Sequence, residues 1–180
     1  MSTTTYFTDP VSLGTGFLLA RLILGALLVG HATQKLFGWF GGHGIAGTAG
    51  YFEQLGFRPG HLFVITAALS EAASGILIAL GLLGPIGPAL LLSVMIVAAI
   101  SVHWKNGVFA TANGIEVPLL YATGAIALAF TGYGPFALDV ALGIHHAWTP
   151  ELKLAALAVG VVGGAVNLLA RRSAAVAASA

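Results

Sequence analysis

The sequence predicts an all-α integral membrane helical bundle. Two observations carry this. The 180 residues are 58% hydrophobic and only 7% charged, against about 25% charged in soluble domains, and the mean hydropathy is +0.96. The apolar residues also fall into five runs of membrane-spanning length, separated by glycine, proline and polar turns. A chain of this length makes one membrane domain with short loops.

Composition also excludes function classes. There are no cysteines, so disulfides, thiol catalysis and thiolate-ligated metal or iron–sulfur sites are ruled out. A net charge of +1 offers nothing to attract nucleic acid. Met1–Pro10 is polar and threonine-rich and lacks the basic region of a cleaved signal. The first apolar run is too long for a signal, so it reads as a retained helix.

The first predicted span covers about residues 13–37. The loop 38–60 is rich in glycine and aromatics. Trp39, Phe40, Tyr51, Phe52 and Phe57 suit the membrane interface, with a short helix lying in it near Ala46–Leu55. The second span is about 61–83, ended by Gly84-Pro85-Ile86-Gly87-Pro88. The third is about 89–104 and the fourth about 117–133, closed by Gly134-Pro135. The fifth is about 152–170, followed by Arg171-Arg172 and a tail of small residues. With the N-terminus outside, Lys35, Arg58, Lys105, Arg171 and Arg172 fall on the cytoplasmic side. Only Arg21 and Lys153 fall elsewhere. The positive-inside rule therefore places the N-terminus outside and the C-terminus in the cytoplasm.

Polar groups inside the spans are the candidate site. Arg21, Leu24, Leu28, His31 and Lys35 repeat at intervals of 3 and 4, one stripe of a helix. Arg21 and His31 at membrane depth point that stripe inward, because a charge near the bilayer centre costs about 3 to over 10 kcal/mol. Glu71 lies about 15 Å into the second span and His31 about 9 Å into the first, at 1.5 Å per residue. Glu71 falls between His31 and Arg21 in depth, within reach of either when the two spans are neighbours. His61, His103 and Glu116 join Gln34 and Lys35 at the cytoplasmic ends of the spans. Gly25 and Gly30 on the first span and Gly75 on the second suit close helix packing. Gly160 and Gly164 form a Gly-xxx-Gly packing motif on the fifth.

Arg21, His31, Lys35, Glu71 and His103 are therefore the candidates for a quinone or proton-handling site between the first two spans. A quinone ring wants an apolar slot with one or two polar groups at its carbonyls, and a carboxylate–imidazole pair carries protons. Haem fits poorly: His31 and His103 differ by roughly 8 Å in depth. His145 and His146 lack the further ligands a metal needs, so no metal site is assigned. The structural alternative is that the buried charges only fix helix register and pairing.

Three motifs resemble the DoxX family. The run Arg21-Leu22-Ile23-Leu24-Gly25 followed by Gly30-His31-Ala32-Thr33-Gln34-Lys35-Leu36-Phe37-Gly38 looks like its first helix. Glu71, Ser74-Gly75-Ile76-Leu77 and Leu80-Gly81-Leu82-Leu83-Gly84 look like its second. Gly132-Tyr133-Gly134-Pro135-Phe136-Ala137-Leu138-Asp139 is similar to its closing motif, with Ala137 where serine is usual. The resemblance spans roughly residues 17 to 142 and implies a small helical bundle in a prokaryotic cell (inner) membrane. The family takes its name from a terminal quinol oxidase complex, its relatives include a thiosulfate:quinone oxidoreductase subunit, and other members are thought to scaffold membrane complexes. The usual bundle has four spans, so the architecture implied here is a four-helix DoxX-like core plus a fifth transmembrane helix.

Three readings follow. The first is a quinone-linked subunit of a redox complex, acting with a catalytic partner. The second is a non-enzymatic anchor or assembly subunit, docking a protein partner or a second copy. The third, a small transporter, is disfavoured by the short chain without an internal repeat. The electron donor and the quinone type are not written in the sequence.

Overall fold

The computed structural model describes residues 9–172; the polar start and the small-residue tail lie outside the described residues. The described residues form seven α-helices: α1 Pro10–Phe37, α2 Gly44–Gln54, α3 Gly60–Leu80, α4 Ile86–Ala98, α5 Glu116–Thr131, the short α6 Leu138–Ala141, and α7 Pro150–Leu169. No strand occurs among the described residues. Past Ala98, α4 continues through a π-helical turn, Ala99–His103, and a 3₁₀ turn, Trp104–Asn106. Among the described residues, four helices are long and apolar enough to cross a membrane: α1, α3, the run Ile86–Asn106, and α7. The fifth long element, α5, has 16 residues, about 24 Å at 1.5 Å per residue, against a hydrocarbon core of about 30 Å.

Local chemistry sets the ends. Asp9 caps α1: its carboxylate accepts from the backbone N–H of Val11 and Ser12, and Pro10 occupies the first helical position. The second predicted span, extended in sequence to 83, stops at Leu80. Gly81 there turns left-handed at φ 67°, and Leu82 N–H donates back to Leu77 O at 2.9 Å. Thr149 caps α7 by accepting from Leu152 N–H.

The core lies where α1, α3, α4 and α5 meet. Leu28, Ile78, Leu91 and Ala125 are each 0% exposed, and Tyr133 and Ala137 complete the cluster. A smaller cluster of Leu92, Ala129 and Leu157 docks α7 onto α4 and α5. Contact between α1 and α3 rests on two glycines. A Cβ added at Gly75 would sit 2.7 Å from Gly25 O and 3.0 Å from Leu28 Cβ, so only glycine lets these backbones touch. Gly160 and Gly164 serve α7 against Ala89 and Ile96 of α4 in the same way. That face is therefore occupied within the chain rather than left for a partner. Gly30 differs: nothing lies within 4 Å of where its Cβ would be, so it is not a packing glycine.

Helix α2 folds back against α1 and α3. Glu53 near its end accepts the backbone N–H of Gly60 at 2.9 Å, capping α3. Arg171 Nε donates to Leu55 O, and Arg172 N–H to Gly56 O, both at 2.9 Å. The end of α7 is thereby fastened to the turn after α2, and these contacts wall off one side of the site below.

Candidate functional site

At one end of the bundle Arg21 is 2% exposed. Its guanidinium donates to Ala79 O at the end of α3 and to Phe136 O in the segment after α5. Asp139, 3% exposed, accepts the N–H groups of Leu83 and Gly84 at 2.8 and 2.7 Å. Its own N–H donates to Gly81 O at 3.0 Å. The α3–α4 turn and the 133–139 segment are thus held in one polar clasp. Carbonyls at a helix end and N–H groups of a turn have no internal partners, and burying them without any costs about 1–3 kcal/mol each. Arg21 and Asp139 supply those partners. Arg21 was expected within reach of Glu71, but it meets carbonyls instead and belongs to this clasp.

Toward the other end, Lys35 and Glu71 form the one carboxylate–cation pair within 4.0 Å among the described residues. Lys35 Nζ lies 2.8 and 2.7 Å from Glu71 Oε1 and Oε2. The Glu71 side chain is 6% exposed and that of Lys35 22%. The first span explains why Lys35, rather than His31, meets Glu71. The buried stripe runs Arg21, Gly25, Leu28, Ala32 and continues to Lys35 at the same 3–4 spacing. The expected stripe shared Arg21, Leu28 and Lys35; its Leu24 is half-buried and packs against the core, while its His31 is the residue that falls outside. With Gly25 seated on Gly75, the buried face of α1 is turned by about 40° from the expected one, at about 100° per residue, and His31 is exposed. His31 Nδ1 lies 3.1 Å from Gln34 Oε1, and its ring meets Tyr121 edge-on at 6.2 Å.

The ion pair borders a cavity of about 280 Å³. This cavity is not the slot between the first two spans that the sequence suggested, although Lys35 and Glu71 come from those spans. Along that seam the Gly25–Gly75 contact lies in an open groove lined by Leu22, Val29, Thr33, Ile76 and Leu80 and by no charged group. The cavity opens on the far side of α3, among α2, α3, α4 and α7. Tyr51, Phe52, Phe57 and Phe63 form an aromatic wall, and Val94, Val97 and Ala98 face it from α4. Among the lining polar groups are Ser70, Ser93, Ser101 and Asn167.

Of the five expected site residues, Lys35 and Glu71 line this cavity; Arg21, His31 and His103 do not. His103 Nδ1 lies 2.8 Å from Asn113 O in the next loop. Glu116 accepts the Ala110 N–H at 2.7 Å and shapes the same loop, while His61 is exposed. No group of three His, Asp or Glu side chains suited to a metal gathers among the described residues. Sequence reasoning missed Ser101, Asn167 and the aromatic wall from α2. The available signal was Ser93 and Ser101 in an otherwise apolar third span.

Fold and site together define a multi-pass, all-helical membrane protein with a clasp at one end and a charged pair beside an apolar cavity toward the other. Residues 16–104 match the family model described as DoxX, and the chain belongs to the DoxX family. The match runs from α1 to the 3₁₀ turn after α4 and so contains Arg21, Lys35, Glu71 and Ser101. Among curated proteins and among solved structures, nothing matches.

Proposed function

We propose that this protein is the membrane subunit of a quinone-linked redox complex and binds the quinone ring in the cavity beside Lys35 and Glu71. The observation that carries the reading is the pairing of an apolar, aromatic-walled space with one buried ion pair at its edge. Ligand sites have that composition: mostly apolar lining with a few placed polar groups. The volume of about 280 Å³ suits a ring rather than a whole isoprenoid quinone, so the tail would leave between helices into lipid. Lys35 is a hydrogen-bond donor to a quinone carbonyl. Glu71 holds Lys35 in place and offers a carboxylate for proton exchange. The chain has no cysteine for a thiol or iron–sulfur relay, and in this reading a partner subunit delivers the electrons. The orientation that fits the charge distribution puts this cavity in the cytoplasmic half of an inner membrane.

The test is native mass spectrometry of protein released gently from its own membranes, with Ala98→Phe as the comparison because a phenyl at that position fills the cavity. A quinone adduct on the wild type that disappears in the variant supports the reading. No adduct, or one of equal abundance in both, sinks it. A second reading, a non-enzymatic anchor, draws on the clasp. There the family-like residues Arg21 and Asp139 spend their polar groups on backbone rather than on a ligand. A partner chain without quinone in the same spectrum would favour it.

A further inference from the structure

The cavity holds one buried polar group that the protein itself does not use. Ser101 is 7% exposed and lines the space, and its Oγ has no hydrogen-bond partner among the described residues. Ser70 and Ser93 on the same lining make no hydrogen bond within the described residues either, but they are only half-buried. Several other helical hydroxyls in this chain find a partner. Thr15, Thr66, Thr123 and Thr131 each donate to the carbonyl four residues back at 2.8 Å. Ser74 donates across to Gly87 O at 2.7 Å. Back-bonding of this kind is the usual fate of a hydroxyl inside a helix. Ser101 sits in the π-helical turn Ala99–His103, and such turns occur frequently at functional sites. Three other buried side-chain atoms lack partners, Arg21 Nε, Tyr133 Oη and Trp148 Nε1, but none of those residues lines this cavity.

A buried hydroxyl without a partner destabilises the fold, and this one lines the same cavity as the ion pair, where a ligand would satisfy it. We infer that Ser101 is a second hydrogen-bond donor to the ligand in this cavity, alongside Lys35. The ligand class is then a ring with two acceptors, one taken by the Lys35 ammonium and the other by the Ser101 hydroxyl. A quinone, with carbonyls on opposite sides of its ring, meets that demand, so the inference rests on the function proposed above. The two anchors differ in charge. The two carbonyls of the bound ring are therefore unequal, with the one at Lys35 more strongly polarised.

The test uses the full chain in lipid nanodiscs and a short-chain ubiquinone analogue labelled with ¹³C at one carbonyl or the other. Infrared difference spectra report each carbonyl stretch, binding titrations report affinity, and thermal unfolding without quinone reports the fold. For the wild type, two carbonyl bands lowered by different amounts are expected. In Ser101→Ala the smaller shift should vanish while the larger one stays, with affinity about 3- to 10-fold weaker, the worth of one hydrogen bond. The quinone-free variant should unfold at the same or a higher temperature, because an unpartnered buried hydroxyl has been removed. Unchanged bands and affinity in a quinone-binding variant overturn the role of Ser101 and leave the quinone reading standing. A lowered unfolding temperature together with weaker binding also overturns it, since Ser101 would then be structural. A wild type that does not bind the analogue overturns the quinone reading itself.

Discussion

Removing Lys35 should cost more than removing Glu71, although the two share one ion pair. The Glu71 side chain is 6% exposed and that of Lys35 22%. Lys35→Met leaves the nearly buried Glu71 carboxylate without its counter-charge, and breaking a buried pair in this way costs about 3–5 kcal/mol. Glu71→Gln leaves an ammonium on a flexible stem that can bend toward the interface, so its cost should be nearer 1–2 kcal/mol. The double variant Lys35→Met, Glu71→Gln removes both charges and should cost no more than about 2 kcal/mol, since an apolar replacement of a buried pair is often close to neutral. The singles sum to at least about 4 kcal/mol, which leaves a coupling of at least about 2 kcal/mol in the cycle. Reversible unfolding in mixed micelles, with stability extrapolated to zero denaturant for all four proteins, supplies the numbers. Equal costs for the two singles, or additive behaviour in the double, would refute the reasoning that burial of Glu71 dominates the pair.

The two glycines grouped together on the first span should separate. Gly25→Ala puts a Cβ 2.5 Å from Gly75 O and should destabilise by about 1–3 kcal/mol through overpacking. Gly30→Ala meets nothing within 4 Å and should stabilise by about 0.5–1 kcal/mol; the same unfolding assay reads both. Asp139→Asn keeps one acceptor for the Leu83 and Gly84 N–H groups and loses the other. Amide exchange at those two residues should quicken selectively, and uniform exchange across the bundle would contradict the clasp. At the N-terminus of α1, the Ser12 hydroxyl and the Val11 and Ser12 N–H groups hold the Asp9 carboxyl below its ordinary value. Its contribution is therefore present above the ordinary carboxylate pKa of about 4 and is lost as pH falls through the lowered value. Fraying of the first turn, followed by amide exchange at Ser12, should rise only in that acidic range and not in Asp9→Asn.

Much of the architecture was legible because apolar runs of membrane length leave little choice. Asp9, Gly81 and Thr149 set helix ends by local chemistry, but the ends expected from the apolar runs lay near 13, 83 and 152 and drew on none of the three. The burial of Arg21 and Glu71 was legible too, since neither is tolerated facing lipid. Their partners were not. A stripe through 21, 24, 28, 31 and 35 and one through 21, 25, 28, 32 and 35 fit the same helical period, and only the Gly25–Gly75 contact between two helices chooses the second. That choice takes His31 off the buried face and gives Glu71 to Lys35. The cavity was harder still. Its walls come from α2, α3, α4 and α7, and its polar lining includes a serine displayed by a π turn, which periodicity counting at 3.6 residues per turn does not anticipate. Asp139 was visible as a motif residue, but its work, capping a turn 55 residues earlier, is a product of the fold.

The central claim is that a quinone ring sits beside the Lys35–Glu71 pair, and photoaffinity mapping tests it most directly. Native membranes would be irradiated with an azido-quinone, with and without excess unlabelled quinone, and the modified peptides sequenced. The account predicts competable labelling confined to the cavity lining: Lys35, the stretch Thr48–Glu71 across α2 and α3, Ser93–Val102 of α4 and its π turn, and Asn167 of α7. Competable labelling concentrated instead around Arg21 and the 133–139 segment, or labelling that excess quinone does not reduce, would contradict it.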